Sequence, residues 1–269
     1  MPLSGREFRA LDERMREAGV PADGDRELTF DDLTELGCSR ELAARILRLL
    51  GREELLWQQV WKWRRAGVDT VTWRSGDYPV RLRQRLGSDA PPVLFLRGDR
   101  RLLTGRAVGL AGSRDLTDLG TRYAAAIGRM AAAKGYVLAS GNARGADQTG
   151  QEACLAAGGS VVAFVPGRLT ALPPRPGVLY VSEGGPNLGF TAERALRRNR
   201  LIHCLGPWTF LAQVRHGRGG TWNGACHNLE HHLSHLYVPE DGSPGAAALA
   251  AMGAKSISLR RLQEAAEHP

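Results

Sequence analysis

Short apolar runs alternate with amphipathic segments over most of the chain beyond residue 106. The runs lie at 107–111, 136–140, 160–165, 178–182, 209–214 and 235–238. Between most of them, apolar residues recur every three or four positions, which is typical of helices that pack on one side. Near-continuous apolar strands that alternate with helices predict an α/β fold with a doubly wound, mostly parallel, Rossmann-like sheet.

The first 70 residues lack strand signals and are rich in helix-forming residues, which predicts a small all-helical module. Leu33, Leu42 and Ile46 mark two short helices joined at a glycine turn, and Ser39 is the expected N-cap of the second helix. The stretch LTELGCSRELAARIL is similar to a degenerate helix-hairpin-helix, in which a glycine turn offers N–H groups to a DNA phosphate. DNA contact and simple packing both remain open for this module, and we favour packing.

A tryptophan-rich segment ends the module. Trp57 and Trp61 are four residues apart and share one face of a predicted helix. Their rings would suit base stacking on single-stranded nucleic acid. We favour the alternative, an apolar stripe that docks this helix on the main domain.

Prolines and glycines between residues 71 and 106 indicate a linker that also carries the first strand region. The pattern therefore divides the chain into four parts. They are a helical module (1–70), the linker and first strand region (71–106), a Rossmann-like domain (107–258) and a polar tail (259–269).

Two turns that combine glycine with arginine follow the first two strands of the main domain. The first is Gly112-Ser113-Arg114, and the second runs from Ser140 to Asp147. Backbone N–H groups and helix N-termini gather anions where strands end and helices begin, and arginine adds a fork suited to phosphate. The second turn contributes Ser140, Gly141, Arg144 and Gly145 to the candidate phosphate-binding residues.

Each turn also has a structural interpretation. Arg114 would serve as an ordinary surface residue if it paired with Asp115 or Asp118, and Asp147 would cap the helix that follows it. We favour phosphate contact for Arg114, because open α/β sheets bind ligands at the carboxyl ends of their strands.

Further along the chain, four arginines fall within seven residues. Arg194, Arg197 and Arg198 have the spacing of one basic helix stripe, and Asn199 and Arg200 precede an apolar continuation that should hold them near the sheet. A charge run is also compatible with a solvated helix face.

A third glycine turn lies downstream and leads into another helix. Gly219, Gly220 and Thr221 belong to it, with Thr221 or Asn223 as the expected N-cap. We expect this turn to add backbone amides to the same anion site.

The order of these motifs resembles the DprA/Smf (DNA-processing protein A) family over about residues 30 to 255. The most specific pieces are SGNARGAD and RRNRLI, preceded by Tyr78-Pro79. The resemblance implies single-stranded DNA binding through the glycine turns and through Arg197, Arg198, Asn199 and Arg200. It also implies a homodimer, a role in DNA recombination and transformation through loading of a RecA-type recombinase, and no cofactor.

The chain departs from the family pattern at several positions. Gln151 stands where the family usually has a histidine, and the usual Phe-Pro ahead of the RNR motif is absent, with Phe190 standing earlier. Many members continue into a winged-helix domain, which we do not expect in a chain of 269 residues.

Composition agrees with an anionic partner and a cytoplasmic protein. Lys and Arg total 36 against 28 Asp and Glu, a formal charge of +8. The four cysteines are scattered without metal or disulfide spacing, and we expect reduced thiols. No signal-like or membrane-spanning apolar run is present in the sequence, so we expect a cytoplasmic protein without membrane contact.

Other chemistry receives less support from the residues. Histidines at His227, His231 and His235 have helical metal-ligand spacing, but no ligand from another element is signalled, so we expect no metal. The glycine turn also resembles that of the LOG phosphoribohydrolases, whose catalytic glutamate corresponds to Gly224 here. We therefore expect no enzyme activity.

Two alternatives remain open. The same pocket would suit a free nucleotide or a nucleotide-derived signal, which would make the protein a sensor without hydrolase activity. A divergent paralogue that serves only protein partners is the third possibility.

Overall fold

A nine-stranded sheet runs through the larger of two units into which the computed structural model divides the chain. The structure describes residues 3–20 and 27–267. The larger unit comprises Gly67–Leu86 and Val93–Pro269, and the smaller comprises Met1–Ala66 and Gly87–Pro92.

The sheet is mostly parallel. Its strands are β1 (Asp69–Thr72), β2 (Val93–Arg97), β3 (Ala107–Ala111), β4 (Val137–Ser140), β5 (Ser160–Phe164), β6 (Val178–Ser182), β7 (Trp208–Leu211), β8 (His235–Pro239) and β9 (Lys255–Ile257). They lie in the order β1-β2-β6-β5-β4-β3-β7-β8-β9. β2 pairs antiparallel with β1 and with β6, and the remaining pairs are parallel.

Helices connect the strands of this unit. They are α5 (Val80–Leu86), α6 (Asp118–Ala133), α7 (Ala146–Ala156), α8 (Ala192–Leu205), α9 (Gly219–His231), α10 (Pro244–Ala251) and α11 (Leu259–Glu267). The chain builds the sheet outward from β3 through β4, β5 and β6, then returns to β7 on the other side of β3. This reversal is the topological switch point, where doubly wound sheets open a ligand crevice.

The buried position of the strands accounts for the apolar runs in the sequence. β4 and β6 are buried at every residue, because helices pack on the faces of the sheet. Gly109 in β3 lies where a Cβ atom would come within 2.9 Å of the Ile202 carbonyl oxygen, so the missing side chain lets α8 approach the sheet. The predicted Rossmann-like α/β fold is confirmed, and all six predicted runs contain strands.

The smaller unit is helical, with α1 (Gly5–Glu17), α2 (Phe30–Glu35), α3 (Arg40–Leu50), α4 (Glu53–Arg65) and a 3-10 turn at Gly87–Asp89. Its core contains Leu11, Leu33 and Ile46. Ser39 is the N-cap of α3 as predicted, since its side chain accepts a hydrogen bond from the Leu42 N–H. Residues 1, 2 and 21–26 of the predicted module lie outside the described residues.

Two segments bear on the sequence prediction. Trp57 and Trp61 on α4 are 54% and 61% exposed, and the docking of this helix on the main domain stays a prediction. The segment expected as a polar tail forms α11, which packs against α6 through the buried Leu262, and residues 268 and 269 lie outside the described part. Leu259, Leu262 and Ala266 have the spacing of one apolar helix face, a signal that the polar composition of this short segment concealed.

Among the described residues, no helix combines the length and apolar character that crossing a membrane requires.

Candidate functional site

A cavity of about 490 Å³ opens at the carboxyl ends of β3 and β7, at the switch point of the sheet. We call it the carboxyl-edge cavity. Its walls come from the turn after β3, one side of α8 from Ala192 to His203, and the first turn of α9. The predicted site residues that line it are Gly112, Ser113, Arg114, Arg198, Asn199, Gly219, Gly220 and Thr221.

The turn after β3 is held by neighbouring backbone. A Cβ atom at Gly112 would lie 2.5 Å from the Ala146 Cβ, so only glycine lets the two turns pack. The Ser113 N–H donates to the Gln213 carbonyl at 3.0 Å, and the Thr221 hydroxyl donates to the Gly112 carbonyl at 2.8 Å. These bonds fix the turn while the Arg114 side chain stays exposed and makes no ion pair or hydrogen bond with a described residue.

Arg198 lies in the wall of the cavity with only 6% of its surface exposed. Its Nη1 is 4.0 Å from the Asp147 Oδ2, and its Nε atom is buried without a hydrogen-bond partner. Burial lowers the pKa of Arg198, although the Asp147 carboxylate opposes that shift. A buried guanidinium with an unused donor at a cavity is therefore prepared for an anionic ligand.

Asp147 supports this arginine instead of capping α7. Gly145 is the N-cap residue, and Asp147 accepts hydrogen bonds from the backbone N–H groups of Ala143 and Gly141. Burial raises the pKa of the Asp147 carboxyl, and Arg198 opposes the rise. The predicted capping role of Asp147 is wrong, because this carboxylate stabilises the turn that precedes the helix.

His203 forms part of the cavity wall and belongs to a buried polar chain. The Ser234 N–H donates to the Asn228 Oδ1 at 2.9 Å, which leaves the Asn228 Nδ2 as the donor 3.0 Å from the His203 Nδ1. His203 Nδ1 is therefore an acceptor, and in the neutral ring the proton is on Nε2. Burial, with a smaller contribution from His227, lowers the pKa of His203 to about 4, so the ring is neutral at pH 7.

The first turn of α9 contributes backbone amides. Arg218 is its N-cap residue and makes no capping bond through its side chain, so the first amides of the helix have no side-chain partner there. The expected N-cap at Thr221 or Asn223 is wrong, since both residues lie inside the helix. The Asn199 Nδ2 donates to the Gly220 carbonyl at 3.3 Å and ties this turn to α8.

The other predicted site residues do not line the cavity. Gly141 and Gly145 have backbone-packing roles, and Ser140 is buried and accepts a hydrogen bond from Gln151 at 2.5 Å. Gln151, which replaces the family histidine, thus holds the end of β4. Gly145 has a φ of 83° and packs on the carbonyl of Arg114.

Three predicted arginines that do not line the cavity pair with carboxylates. Arg144 binds Asp115 at 2.5 Å, while Arg197 and Arg200 both pair with Glu183. The prediction of one basic stripe on α8 is also wrong: Arg198 is buried and Arg197 is exposed, and Arg194 donates to the Gly189 carbonyl instead. Arg200 lies against the sheet as expected, with its side chain 11% exposed.

Several lining residues were missed from the sequence. They are Asp115, Ala143, Phe190, His203, Arg215 and Arg218. Arg215 and Arg218 flank a glycine turn that was recognised, so their charge next to it was the available signal. Nothing in the local pattern marked His203, which reads as one more residue of the buried side of α8.

Two further features concern metal and acid–base chemistry. In the described part of the chain, His227, Glu230 and His231 form an exposed group whose ligand atoms lie within 4.8 Å of one another, a geometry compatible with a divalent cation. At Gly224, a Cβ atom would lie 3.2 Å from the His203 Nε2, so a glutamate would need the imidazole to shift. No carboxylate of the hydrolase type occupies this position.

Comparison with known proteins identifies the family. The sequence model described as DNA recombination-mediator protein A matches residues 69–267. The chain belongs to this family. The DNA processing protein DprA of Bacillus subtilis (strain 168) is 28% identical over 210 residues, which cover 72% of this chain and 70% of that protein.

Solved structures of the family share the fold. DNA processing protein A from Streptococcus pneumoniae superposes with a TM-score of 0.73 at 23% identity and covers 98% of both chains. DNA processing protein A from Helicobacter pylori, studied for its single-stranded DNA binding mode, gives a TM-score of 0.61 at 22% identity over 74% of this chain and 94% of that chain. The predicted family resemblance is confirmed.

Proposed function

We propose that this DprA family member binds single-stranded DNA in the carboxyl-edge cavity and acts as a recombination mediator. The observation that carries the proposal is Arg198, a buried arginine with an unpartnered Nε atom in a cavity that Arg114, Arg215 and Arg218 also line. Guanidinium groups and helix N-terminal amides recognise phosphate oxygens without reading base sequence. The binding of single-stranded DNA by the Helicobacter pylori relative supports the same ligand.

Phe190 adds a base-contacting surface to this proposal. Its ring is 60% exposed and belongs to the cavity wall. Exposed aromatic rings beside basic grooves stack on the bases of single strands, whereas paired bases in a duplex offer no free face. We therefore expect preference for single-stranded over double-stranded DNA.

Fluorescence anisotropy with a labelled oligo(dT) at several salt concentrations tests the proposal. Neutralisation of about four phosphates gives a slope of log K against log salt near −2.8. Arg114→Ala should weaken binding and make the slope shallower by about 0.7. Arg260→Ala is the matched control, because this exposed arginine on α11 pairs with Glu264 away from the cavity. Equal affinity and slope for all three proteins would contradict the proposal.

The recombinase and the homodimer belong to the same proposal. Membership in a family described as recombination mediators supports loading of a RecA-type recombinase onto the bound strand. Light scattering at several protein concentrations tests the homodimer. Strand-exchange assays with and without this protein test the loading step.

A free nucleotide is the second candidate ligand. A cavity of about 490 Å³ lies within the range of pockets that enclose one small molecule. Competition separates the two candidates: a sensor would retain a bound mononucleotide against excess oligo(dT), and a DNA-binding protein would release it. Release of free base from a nucleoside monophosphate would overturn the expectation that the chain is not an enzyme.

A further inference from the structure

A second cavity lies at the opposite edge of the sheet. Its volume is about 260 Å³, and its walls include the residues at the amino ends of β7, β8 and β9. We call it the amino-edge cavity. It shares no lining residue with the carboxyl-edge cavity, so it is a separate site within the larger unit.

The lining of the amino-edge cavity is strongly basic. It contains three permanent cations and two histidines: Arg81, Arg85, Lys255, His232 and His235. No aspartate or glutamate lines it, and none of the five forms an ion pair with a described residue. Several like charges around one concave surface produce a positive potential that attracts anions and repels metal ions.

The position of Arg81 is electrostatically unfavourable. Its Nε atom is buried and has no hydrogen-bond partner, and Arg85 lies one helical turn away on α5. Burial and the charge of Arg85 lower the pKa of Arg81. An anion that accepted a hydrogen bond from Arg81 would offset both the burial of its charge and the repulsion from Arg85.

The remaining polar groups of the wall are already satisfied or fixed. Asn228 bonds to His203 and to Ser234, and the Arg85 Nη1 donates to the His232 carbonyl at 2.9 Å. Recognition of a ligand therefore falls to the guanidinium of Arg81, the remaining donors of Arg85 and the ammonium of Lys255. Such donors match the oxygens of a phosphate group.

We propose that the amino-edge cavity binds a phosphate group, supplied either by a free phosphate compound or by a DNA backbone. Its volume falls below the range of pockets that enclose a whole drug-sized ligand, which fits recognition of one phosphate and its immediate neighbours. This site is independent of the carboxyl-edge cavity, so its test does not depend on the function proposed there.

Histidine NMR on the full chain offers a local measurement. The imidazole signals of His232 and His235, assigned through single His→Gln variants, should shift when inorganic phosphate is added at constant ionic strength. A phosphate-dependent shift of His216, which packs on Trp222 beside the carboxyl-edge cavity, would report binding at that other cavity, and its midpoint should not change in the Arg81→Gln, Arg85→Gln protein. Absence of a phosphate-dependent shift at both His232 and His235 would overturn the proposal.

Charge-removing variants test the assignment to these residues. The double variant Arg81→Gln, Arg85→Gln should raise the phosphate concentration at the midpoint about tenfold or more, because it removes charge-assisted hydrogen bonds to the anion. Lys255→Gln, at an exposed position, should weaken binding in the same direction and decides the matter if the double variant does not fold. Arg260→Gln is the control and should leave the midpoint unchanged.

The same titration with oligo(dT) distinguishes the two sources. Shifts at micromolar oligonucleotide assign the site to a DNA backbone, and shifts with inorganic phosphate alone assign it to a free phosphate compound. An unchanged midpoint in folded Arg81→Gln, Arg85→Gln protein would refute the assignment.

Discussion

Arg198 and Asp147 form the most buried ion pair of the site, with side chains 7% and 10% exposed. Each charge is expensive to bury alone, so each residue depends on the other and on the backbone N–H groups of the turn. Arg198, whose Nε atom this pair leaves without a hydrogen-bond partner, is the arginine that we assign to phosphate. The same interaction therefore supports both the fold and the proposed binding.

Removal of Arg198 should make stability depend on pH. Arg198→Met leaves the Asp147 carboxylate buried without its cation, and we expect a loss of about 3–5 kcal/mol in unfolding free energy at pH 7. Burial already raises the pKa of Asp147 above its unfolded value, so the native state holds the proton more tightly and stability falls as pH rises between the two values. The variant widens that interval, because Arg198 no longer opposes the rise.

Thermal unfolding of both proteins between pH 4 and pH 7 measures this effect. The loss of unfolding free energy in Arg198→Met relative to wild type should grow as pH increases from about 4, the unfolded pKa of an aspartate. Arg215→Met, an exposed arginine on the same cavity, should change stability by less than about 0.5 kcal/mol at every pH. Parallel pH profiles for Arg198→Met and wild type would show that the pair is not coupled as described.

Gly141 shows how a glycine can set the position of a charged group. A Cβ atom at this position would overlap the Arg198 guanidinium, which is held in a buried place. We expect Gly141→Ala to cost about 1–3 kcal/mol in stability and to weaken oligo(dT) binding by displacing Arg198. Gly76→Ala, where a Cβ atom meets no neighbour within 4 Å, is the matched control for denaturation and anisotropy. Retained affinity in folded Gly141→Ala would mean that Arg198 does not contact the ligand.

At the scale of elements, α8 and α9 form much of the cavity wall and supply hydrogen-bond donors to it. α8 presents Arg198 and Asn199 to the cavity, and α9 adds the amides of its first turn. Two hydrogen bonds join these helices at different positions along their length, one between Asn199 and Gly220 and one between His203 and Asn228. The donors in the wall are thereby fixed relative to one another before any ligand arrives, which lowers the entropic cost of binding.

The C-terminal helix is an element whose importance the sequence understated. Leu262 of α11 is 1% exposed, and the Tyr123 hydroxyl on α6 donates to the Ile257 carbonyl just before it at 3.3 Å. We expect Leu262→Ala to lower the unfolding free energy by about 2–5 kcal/mol, measured by chemical denaturation. Gln263→Ala on the same helix should change it by less than about 0.5 kcal/mol. A neutral result at Leu262 would mean that α11 is dispensable for the packing of α6.

At the scale of the whole molecule, which carries a formal charge of +8, basic residues line cavities at opposite edges of one sheet. The carboxyl-edge cavity contains an acidic partner for part of its basic charge, whereas no carboxylate lines the amino-edge cavity. Long-range attraction of a polyanion depends on the sum of these charges. Tight binding depends on the few charged side chains that line one cavity.

Arrival and retention of DNA should therefore respond differently to mutation. We expect Arg81→Gln, Arg85→Gln to slow association with oligo(dT) at low salt and Arg114→Ala chiefly to speed dissociation. Stopped-flow fluorescence at two salt concentrations measures both rates. If Arg81→Gln, Arg85→Gln still associates more slowly than wild type at high salt, the result would argue against a long-range charge effect, because salt screens such attraction.

The sequence by itself determined the alternation of strands and helices, the fold class and the position of the glycine turns. These follow from local periodicity and from the conformational freedom that glycine alone has, as at Gly145. It also determined that arginines would gather near the carboxyl edge of the sheet, since chain order and the right-handed crossover rule place those turns together.

Only the tertiary structure decided which arginines face the cavity. Arg144 pairs with Asp115, and Arg197 and Arg200 pair with Glu183, all three outside the lining, whereas Arg198 is held at the wall by Asp147. Each of these partners is at least 14 residues distant in sequence, and the balance between burial and ion pairing depends on positions that the folded sheet creates. His203 and the amino-edge cavity escaped sequence analysis for the same reason, because their surroundings come from separate strands and helices.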